Sequence, residues 1–352
     1  MSQLWSPALH TLTPYVPGEQ PRERLVKLNT NENPYPPAPG VHDCLQQFPQ
    51  ETLRLYPDPA SSRLKEQLAR TYNVPAEHIF VGNGSDEVLA IAFMAFFRQS
   101  APLLMPEISY SFYPVYANLF DIDTTTLPLN DDWQVDLGAF NQPNGGIVFA
   151  NPNATTGHAH PRQAIATLLD RQRDSVILVD EAYVDFGGES CVSLTEFYDN
   201  ILVVGTFSKS RSLAGLRLGF AIGSPELIEG MERVKNAFNS YPVDRLTEAV
   251  GIKALEDEDY FQQTTQAIVE TREWSIDAMR ERQMDVLPSS ANFVLARPTT
   301  RPAKEVFAEL RKHGIVVRYF DTPLLKDWLR ISIGTNNEMQ QMFLALDGIL
   351  PN

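Results

Sequence analysis

Cysteine is nearly absent. The 352 residues hold only Cys44 and Cys191. Neither stands in a C-x-x-C spacing, so no zinc or redox motif is expected, and both read as reduced thiols of a cytoplasmic protein. Long hydrophobic runs are missing as well: no stretch reaches the roughly 18 apolar residues of a membrane span. Met1–His10 shows no basic segment leading into an apolar run, so no secretory signal is expected. Positive charge is in deficit. The formal net charge is −15, from 29 Lys and Arg against 44 Asp and Glu, which is the wrong sign for a nucleic-acid backbone. A few local arginines could still serve a small anion. No internal repeat with a period of about 20–50 residues is visible. What is present is ordinary for a folded chain: 43% hydrophobic and 21% charged residues, in a length that supports a large core and two domains.

The chain is organised around Lys209. The apolar run Ile201–Val204 reads as a buried strand, and Gly205, Thr206 and Ser208 break it. Lys209 therefore sits on a polar turn just past a strand, where open α/β folds bind ligands. Arg217 follows closely. An amine flanked by hydroxyls and a guanidinium is what a phosphorylated aldehyde requires. The competing reading is a solvated surface lysine. Upstream, Val176–Val179 runs into Asp180. A carboxylate at the tip of an apolar strand needs a partner, and a protonated pyridine nitrogen would be one. Tyr183 follows within reach of a ring hydroxyl.

The stretches Val179-Asp180-Glu181-Ala182-Tyr183 and Ser208-Lys209 through Ala214-Gly215-Leu216-Arg217 resemble those of fold-type I aminotransferases that use pyridoxal phosphate (PLP). Nearly the whole chain is most similar to the histidinol-phosphate branch of that family. The resemblance implies a PLP enzyme that transaminates L-histidinol phosphate with 2-oxoglutarate, in histidine biosynthesis. The implied partners are a small amino donor, a 2-oxo acid and a second copy of the chain sharing the active site. Three other readings stay open: an aromatic amino-acid aminotransferase, a phosphothreonine-type PLP decarboxylase, and a PLP-sensing regulatory module without turnover. The last lacks the basic DNA-binding segment it would need.

The resemblance also assigns roles along the chain. Residues 1 to about 30 read as an irregular, proline-broken arm. There Tyr15 would touch substrate, with Asn31, in Asn31-Glu32-Asn33-Pro34, beside it. Tyr56, in Leu55-Tyr56-Pro57-Asp58, would reach the cofactor phosphate of the neighbouring subunit, and an amphipathic helix is expected over about Ser62–Tyr72. Ile79-Phe80-Val81 leads into Gly82-Asn83-Gly84-Ser85-Asp86-Glu87 and a helix. This lacks the third glycine of a dinucleotide fingerprint, but backbone N–H groups and a helix start favour phosphate. The implied contacts are at Gly84, Ser85 and Asp86, joined by Thr206, Ser208 and Arg217. Tyr110 would stack on the ring, although Phe112, Tyr113 and Tyr116 compete for that place. In Asn151-Pro152-Asn153-Ala154-Thr155-Thr156-Gly157 the family's usual asparagine before Pro-Thr-Gly is replaced by Ala154, with Thr155 at the proline. Asn153 is taken as the substitute contact to the ring oxygen.

Strands and helices alternate from about residue 45 to 230. This predicts α/β architecture of PLP-dependent fold type I: a mostly parallel sheet with helices on both faces, followed by a smaller α/β domain. The expected division is an arm (1–30), a large PLP-binding domain (31–255) and a small domain (256–352), linked by a helical stretch over about 247–282. In the small domain, Arg330 interrupts an apolar strand pattern, where an unpaired guanidinium is costly. Such a fork suits a carboxylate or phosphate. The resemblance implies that Arg330 holds an amino-acid carboxylate and that Arg318 adds grip on a substrate phosphate. The alternative for Arg318 is an internal salt bridge to Asp321.

Overall fold

The computed structural model describes residues 3–23 and 25–350, so the expectations for the arm and the small domain fall partly outside the described residues. Among the described residues there are twelve strands: β1 (Val26–Leu28), β2 (Ile79–Gly82), β3 (Leu103–Pro106), β4 (Thr124–Leu127), β5 (Gly146–Ala150), β6 (Ile177–Asp180), β7 (Ile201–Thr206), β8 (Gly219–Gly223), β9 (Met284–Val286), β10 (Phe293–Pro298), β11 (Ile315–Tyr319) and β12 (Leu329–Ser332). They form a seven-stranded sheet in the order β2-β8-β7-β6-β5-β3-β4 and a five-stranded sheet in the order β1-β11-β12-β10-β9. In the larger sheet β4, β3, β5, β6 and β7 run parallel, and only β8 runs against its neighbours.

The apolar runs of β5, β6 and β7 are buried along their whole length, because both faces of the sheet are covered. Period-two alternation sorts their side chains. Phe149, Val179 and Val203 pack on one face with Leu64, Leu68 and Ile165. Val148, Leu178 and Val204 pack on the other with Val88, Phe93 and Met231. The helix expected at Ser62–Tyr72 spans those residues.

Two local differences from the sequence reading have physical causes. The stretch expected as one helical run over 247–282 is two helices, Arg245–Glu256 and Glu258–Glu281. Asp257 leaves helical geometry between them and accepts a hydrogen bond from Tyr260 N, as a short carboxylate does at an N-cap. The arm, expected to be irregular, carries β1, which pairs in parallel with β11. The first segment of the chain thus completes the second sheet.

In that sheet Val317 and Ile331 face a core shared with Val306, Met339, Leu346 and Ile276. Alternation turns Arg318 and Arg330 to the opposite side, towards the larger sheet. A small cluster of Ile108, Leu295, Leu325 and Trp328 closes the gap between the two sheets. Between them lies a cavity of about 660 Å³.

Candidate active site

The parallel strands end on one edge of the large sheet, and that edge is the cavity floor. Lys209 follows β7. Its Nζ donates to the Thr30 carbonyl at 3.1 Å and lies 5.7 Å from the centre of the Tyr183 ring. Asp180 ends β6 and is 3% exposed. Tyr113 Oη donates to its Oδ2 at 2.8 Å, and Ala182 N to its Oδ1 at 3.1 Å. Burial nevertheless dominates and pushes its pKa up to about 6. A group in that state gains from a cation placed beside it.

Beside Asp180 stands Tyr183, 6% exposed, whose hydroxyl accepts from Asn31 Nδ2 at 3.1 Å. Asn31 takes a left-handed conformation (φ 55°) and is held there by Ser332. Its backbone N–H donates to Ser332 Oγ at 2.8 Å, and the Ser332 hydroxyl donates back to Oδ1 at 2.9 Å. Asn292 Nδ2 donates to its carbonyl at 3.0 Å. One buried amide therefore ties the arm, the floor and the second sheet together.

The expected phosphate cradle assembles at the same edge. Gly82 of β2 and Thr206 of β7 both pair with Gly219 of β8. The helix Gly84–Phe96 starts there, and Arg217 lies across its first residue. A Cβ on Gly84 would collide with the Arg217 guanidinium, and Gly84 has φ +79°, a conformation glycine adopts freely. Arg217 Nη2 pairs with Asp86 Oδ2 at 2.8 Å, and Nη1 reaches Ser208 Oγ at 3.5 Å. Ser208 N donates to Thr206 Oγ1 at 3.1 Å. Asp86 also accepts from the Tyr110 hydroxyl at 2.7 Å. That contact fixes the ring of Tyr110 over the cavity, edge-on to Tyr113 at 5.6 Å.

The opposite wall is cationic. Arg318 and Arg330 are cross-strand neighbours in β11 and β12, and like charges opposite each other are destabilising. Among the described residues neither has a carboxylate partner. Arg330 donates only through Nη1, to the Ala154 carbonyl at 3.0 Å, and its Nε is buried without a partner. Burial holds its pKa below the usual arginine value, and Arg318 adds to the effect. Arg318 Nη2 donates to the Val16 carbonyl at 3.0 Å. The salt bridge considered for it does not form, because Asp321 pairs with Lys304. Tyr15 lines the same wall, stacked on Phe112 at 4.5 Å.

The cavity thus collects Tyr15, Asn31, Tyr110, Tyr183, Lys209, Arg318 and Arg330. Two expected residues stand elsewhere. Asn153 is buried behind the wall: its Nδ2 donates to the Ile108 carbonyl at 2.9 Å, and its Oδ1 accepts from Thr155 N and Thr156 N. Its amide is used up in shaping the loop, and Ala154 and Thr155 form the surface in its place. Tyr56 stands outside its own chain's cavity, 78% exposed and stacked on Tyr241 at 4.8 Å.

Residues 23–346 match the family model for aminotransferase class I and II. The chain belongs to the class I and II aminotransferases. It is 61% identical over 349 residues to the histidinol-phosphate aminotransferase of Chromohalobacter salexigens, with 99% of each chain covered. It is 53% identical to histidinol-phosphate aminotransferase 1 of Hydrogenovibrio crunogenus, again over 99% of each chain. Its fold is similar to that of the histidinol-phosphate aminotransferase of Sinorhizobium meliloti, solved in complex with pyridoxal-5′-phosphate. That comparison gives a TM-score of 0.88 at 24% identity and covers 99% of this chain and 98% of the other.

Some of the aminotransferase's contacts carry no sequence signal. Tyr113 is one of several aromatics around Tyr110, and only the fold brings it, rather than Phe112 or Tyr116, to Asp180. Ser332 and Asn292 lie far along the chain from the Asn31 they hold. No helix among the described residues is long and apolar enough to cross a membrane.

Proposed function

We propose that this aminotransferase uses PLP to exchange the amino group between L-histidinol phosphate and 2-oxoglutarate, giving imidazole-acetol phosphate and L-glutamate, as a homodimer in the cytoplasm. The observation that carries the substrate reading is the pair Arg318 and Arg330, adjacent guanidiniums facing the Lys209 cavity with no carboxylate partner. Two unpaired cations on one wall suit a phosphate in one half-reaction and a carboxylate in the other.

The residues present fit PLP. The buried, proton-hungry Asp180 calls for a cation such as a pyridinium nitrogen. The glycine-cleared helix start with Arg217, Thr206 and Ser208 suits a phosphate. When bound, PLP supplies an aldehyde to take up the amino group and a ring to delocalise charge. The remaining work falls to the chain. Lys209 would provide the tethering amine and, once free, a base able to move a proton. Asp180, oriented by Tyr113, would hold the ring nitrogen protonated. Tyr183, steadied by Asn31, would bind the ring oxygen, since the Asn153 amide is taken up in its own loop. Tyr110, anchored by Asp86, would help hold the ring and exclude water. The amides of Ser85 and Asp86 would help hold the phosphate. Arg330 takes the glutamate carboxylate, or joins Arg318 and Tyr15 on the substrate phosphate.

The proposed division into an arm (1–30), a cofactor domain (31–255) and a small domain (256–352) is supported by the two separate sheets, although β1 of the arm pairs within the smaller one. The dimer is supported by Tyr56. It is a cofactor contact by resemblance, it lies outside its own cavity, and Leu53, Phe238 and Tyr241 are exposed alongside it. The two free cysteines suit a reducing compartment. The test is glutamate formation by the PLP-loaded protein from L-histidinol phosphate and 2-oxoglutarate. The expected result is a kcat/KM far above that for L-phenylalanine. An equal or better rate with phenylalanine would move the enzyme to aromatic amino acids, and carbon dioxide release from phosphothreonine would make it a decarboxylase.

A further inference from the structure

The loop that carries Tyr56 has no regular structure and contains Pro57 and Pro59, which have no N–H to tie it down. It is held instead by its carbonyls, from one distant stretch of the chain. Lys235 Nζ donates to the Pro59 carbonyl at 2.8 Å. Arg245 places Nε and Nη2 on the Tyr56 carbonyl at 3.1 and 2.7 Å, and Nε also reaches the Leu55 carbonyl at 3.3 Å. Tyr241, between them in sequence, stacks on the Tyr56 ring. Asp58 closes the turn by accepting from Ala60 N and Ser62 N.

Lys235 is an unusual choice for this work. Its side chain is 4% exposed, and it pairs with Glu232 at 2.6 Å. Lys65, from the helix that follows the loop, pairs with the same carboxylate at 2.6 Å. A buried ammonium is costly to keep, and a neutral side chain could fill the space. What the ammonium adds is a directed hydrogen bond to the base of the Tyr56 loop. The loop backbone is held by Lys235 and Arg245 and closed by Asp58, while the Tyr56 ring, stacked on Tyr241, stays largely exposed.

We infer that Lys235, together with Arg245, is a positioning residue that acts in trans. It sets the Tyr56 loop of its own chain so that the tyrosine is presented, pre-ordered, to the cofactor-phosphate end of the partner subunit's site. This rests on the shared-site reading above. Pre-ordering spares the loop's conformational entropy at binding, so loss of the support is read in cofactor affinity.

The experiment compares PLP affinity, from the visible absorbance of Lys209-bound cofactor, in Lys235→Met homodimers and in hybrid dimers of one Lys235→Met chain with one Lys209→Ala chain. In the hybrid, the only site with a lysine belongs to the Lys235→Met chain and receives Tyr56 from the chain whose Lys235 is intact. The homodimer is expected to bind PLP about tenfold more weakly than wild type, and the hybrid site to recover wild-type affinity. Wild-type affinity in the Lys235→Met homodimer, or a hybrid site as weak as the homodimer's, would overturn the inference. Should Lys235→Met fail to fold, Arg245→Gln, at a partly exposed position, takes its place in the same design with the same outcomes. A wild-type chain that sediments as a monomer, or binds no PLP, defeats the shared-site reading itself and the inference with it. That result is distinct from a PLP-loaded dimer in which Lys235 has no effect in trans.

Discussion

The two walls of the cavity treat charge in opposite ways. On the large-sheet floor every charged group has a protein partner: Asp180 has Tyr113 and Ala182 N, Asp86 has Arg217 and Tyr110, and Lys209 has the Thr30 carbonyl. On the small-sheet wall Arg318 and Arg330 face each other with carbonyl contacts and the rings of Phe293 and Phe320 but, among the described residues, no carboxylate, and Arg330 Nε has no hydrogen-bond partner. A fully partnered wall is stable alone and suits a resident cofactor. An under-partnered one is completed only by an incoming anion, which suits substrates that change identity between half-reactions. The contrast supports the proposed division of labour, with chemistry at the floor and recognition at the wall.

Substitutions should separate the two. On the floor, Lys209→Ala is expected to lower kcat by about a thousandfold or more and to remove the visible band of lysine-bound cofactor. Catalysis near wild type would break the assignment of the floor. On the wall, Arg330→Ala is expected to lower kcat/KM by roughly a hundredfold for both L-histidinol phosphate and glutamate, with PLP affinity unchanged in a direct titration. A large loss of PLP would mean the walls are not separate. Arg318→Gln is the sharper probe: about a tenfold loss of kcat/KM for the phosphate substrate and little change for glutamate, seen by assaying each half-reaction alone.

The smallest expected effect concerns stability and pH. Burial raises Asp180 to about 6 and Glu181 to about 7. In the folded chain these groups keep protons that the unfolded chain has already released above about pH 4. The folded state then binds more protons, so their contribution to stability is greatest at low pH and is lost as pH rises towards 7. In cofactor-free protein, Asp180→Asn should remove the Asp180 share of this trend, visible as a shallower fall in urea stability between pH 4 and about 6 than in wild type. Parallel curves would contradict the raised pKa. PLP should have a similar flattening effect by giving Asp180 a cation.

Much of this was readable without coordinates because charge interrupts pattern. Asp180 and Lys209 stand at and just past the ends of apolar strands, on the edge of a parallel sheet where open α/β folds bind ligands, and Arg330 interrupts an apolar strand of the smaller sheet. The apolar runs Ile79–Val81, Val176–Val179 and Ile201–Val204 were legible as strands from their unbroken hydrophobicity, whereas β4, exposed or half-buried along its length, carries no such signal. Other features depend on distance in space rather than on pattern. β1 has three residues, too few for a periodicity, and is a strand only because β11 lies beside it. The Asn31–Tyr183–Ser332–Asn292 network joins residues from both ends of the chain. Asn153 and Ala154 are neighbours in one loop, and which of them faces the cavity is set by where the Ile108 carbonyl lies. The helix break at Asp257 did have a local signal, an aspartate able to cap the next turn, which the continuous helical periodicity on either side obscured.

The most direct test of the recognition wall is the affinity of the PLP-loaded enzyme for L-histidinol phosphate against L-histidinol, followed by the change in cofactor absorbance, in wild type and in Arg318→Gln. Removing the phosphate from the ligand should cost wild type roughly a hundredfold in affinity and the variant distinctly less, because the variant has already lost part of the phosphate's partner. An equal loss in both proteins, or no loss in wild type, would contradict the assignment of the unpaired arginines to substrate phosphate.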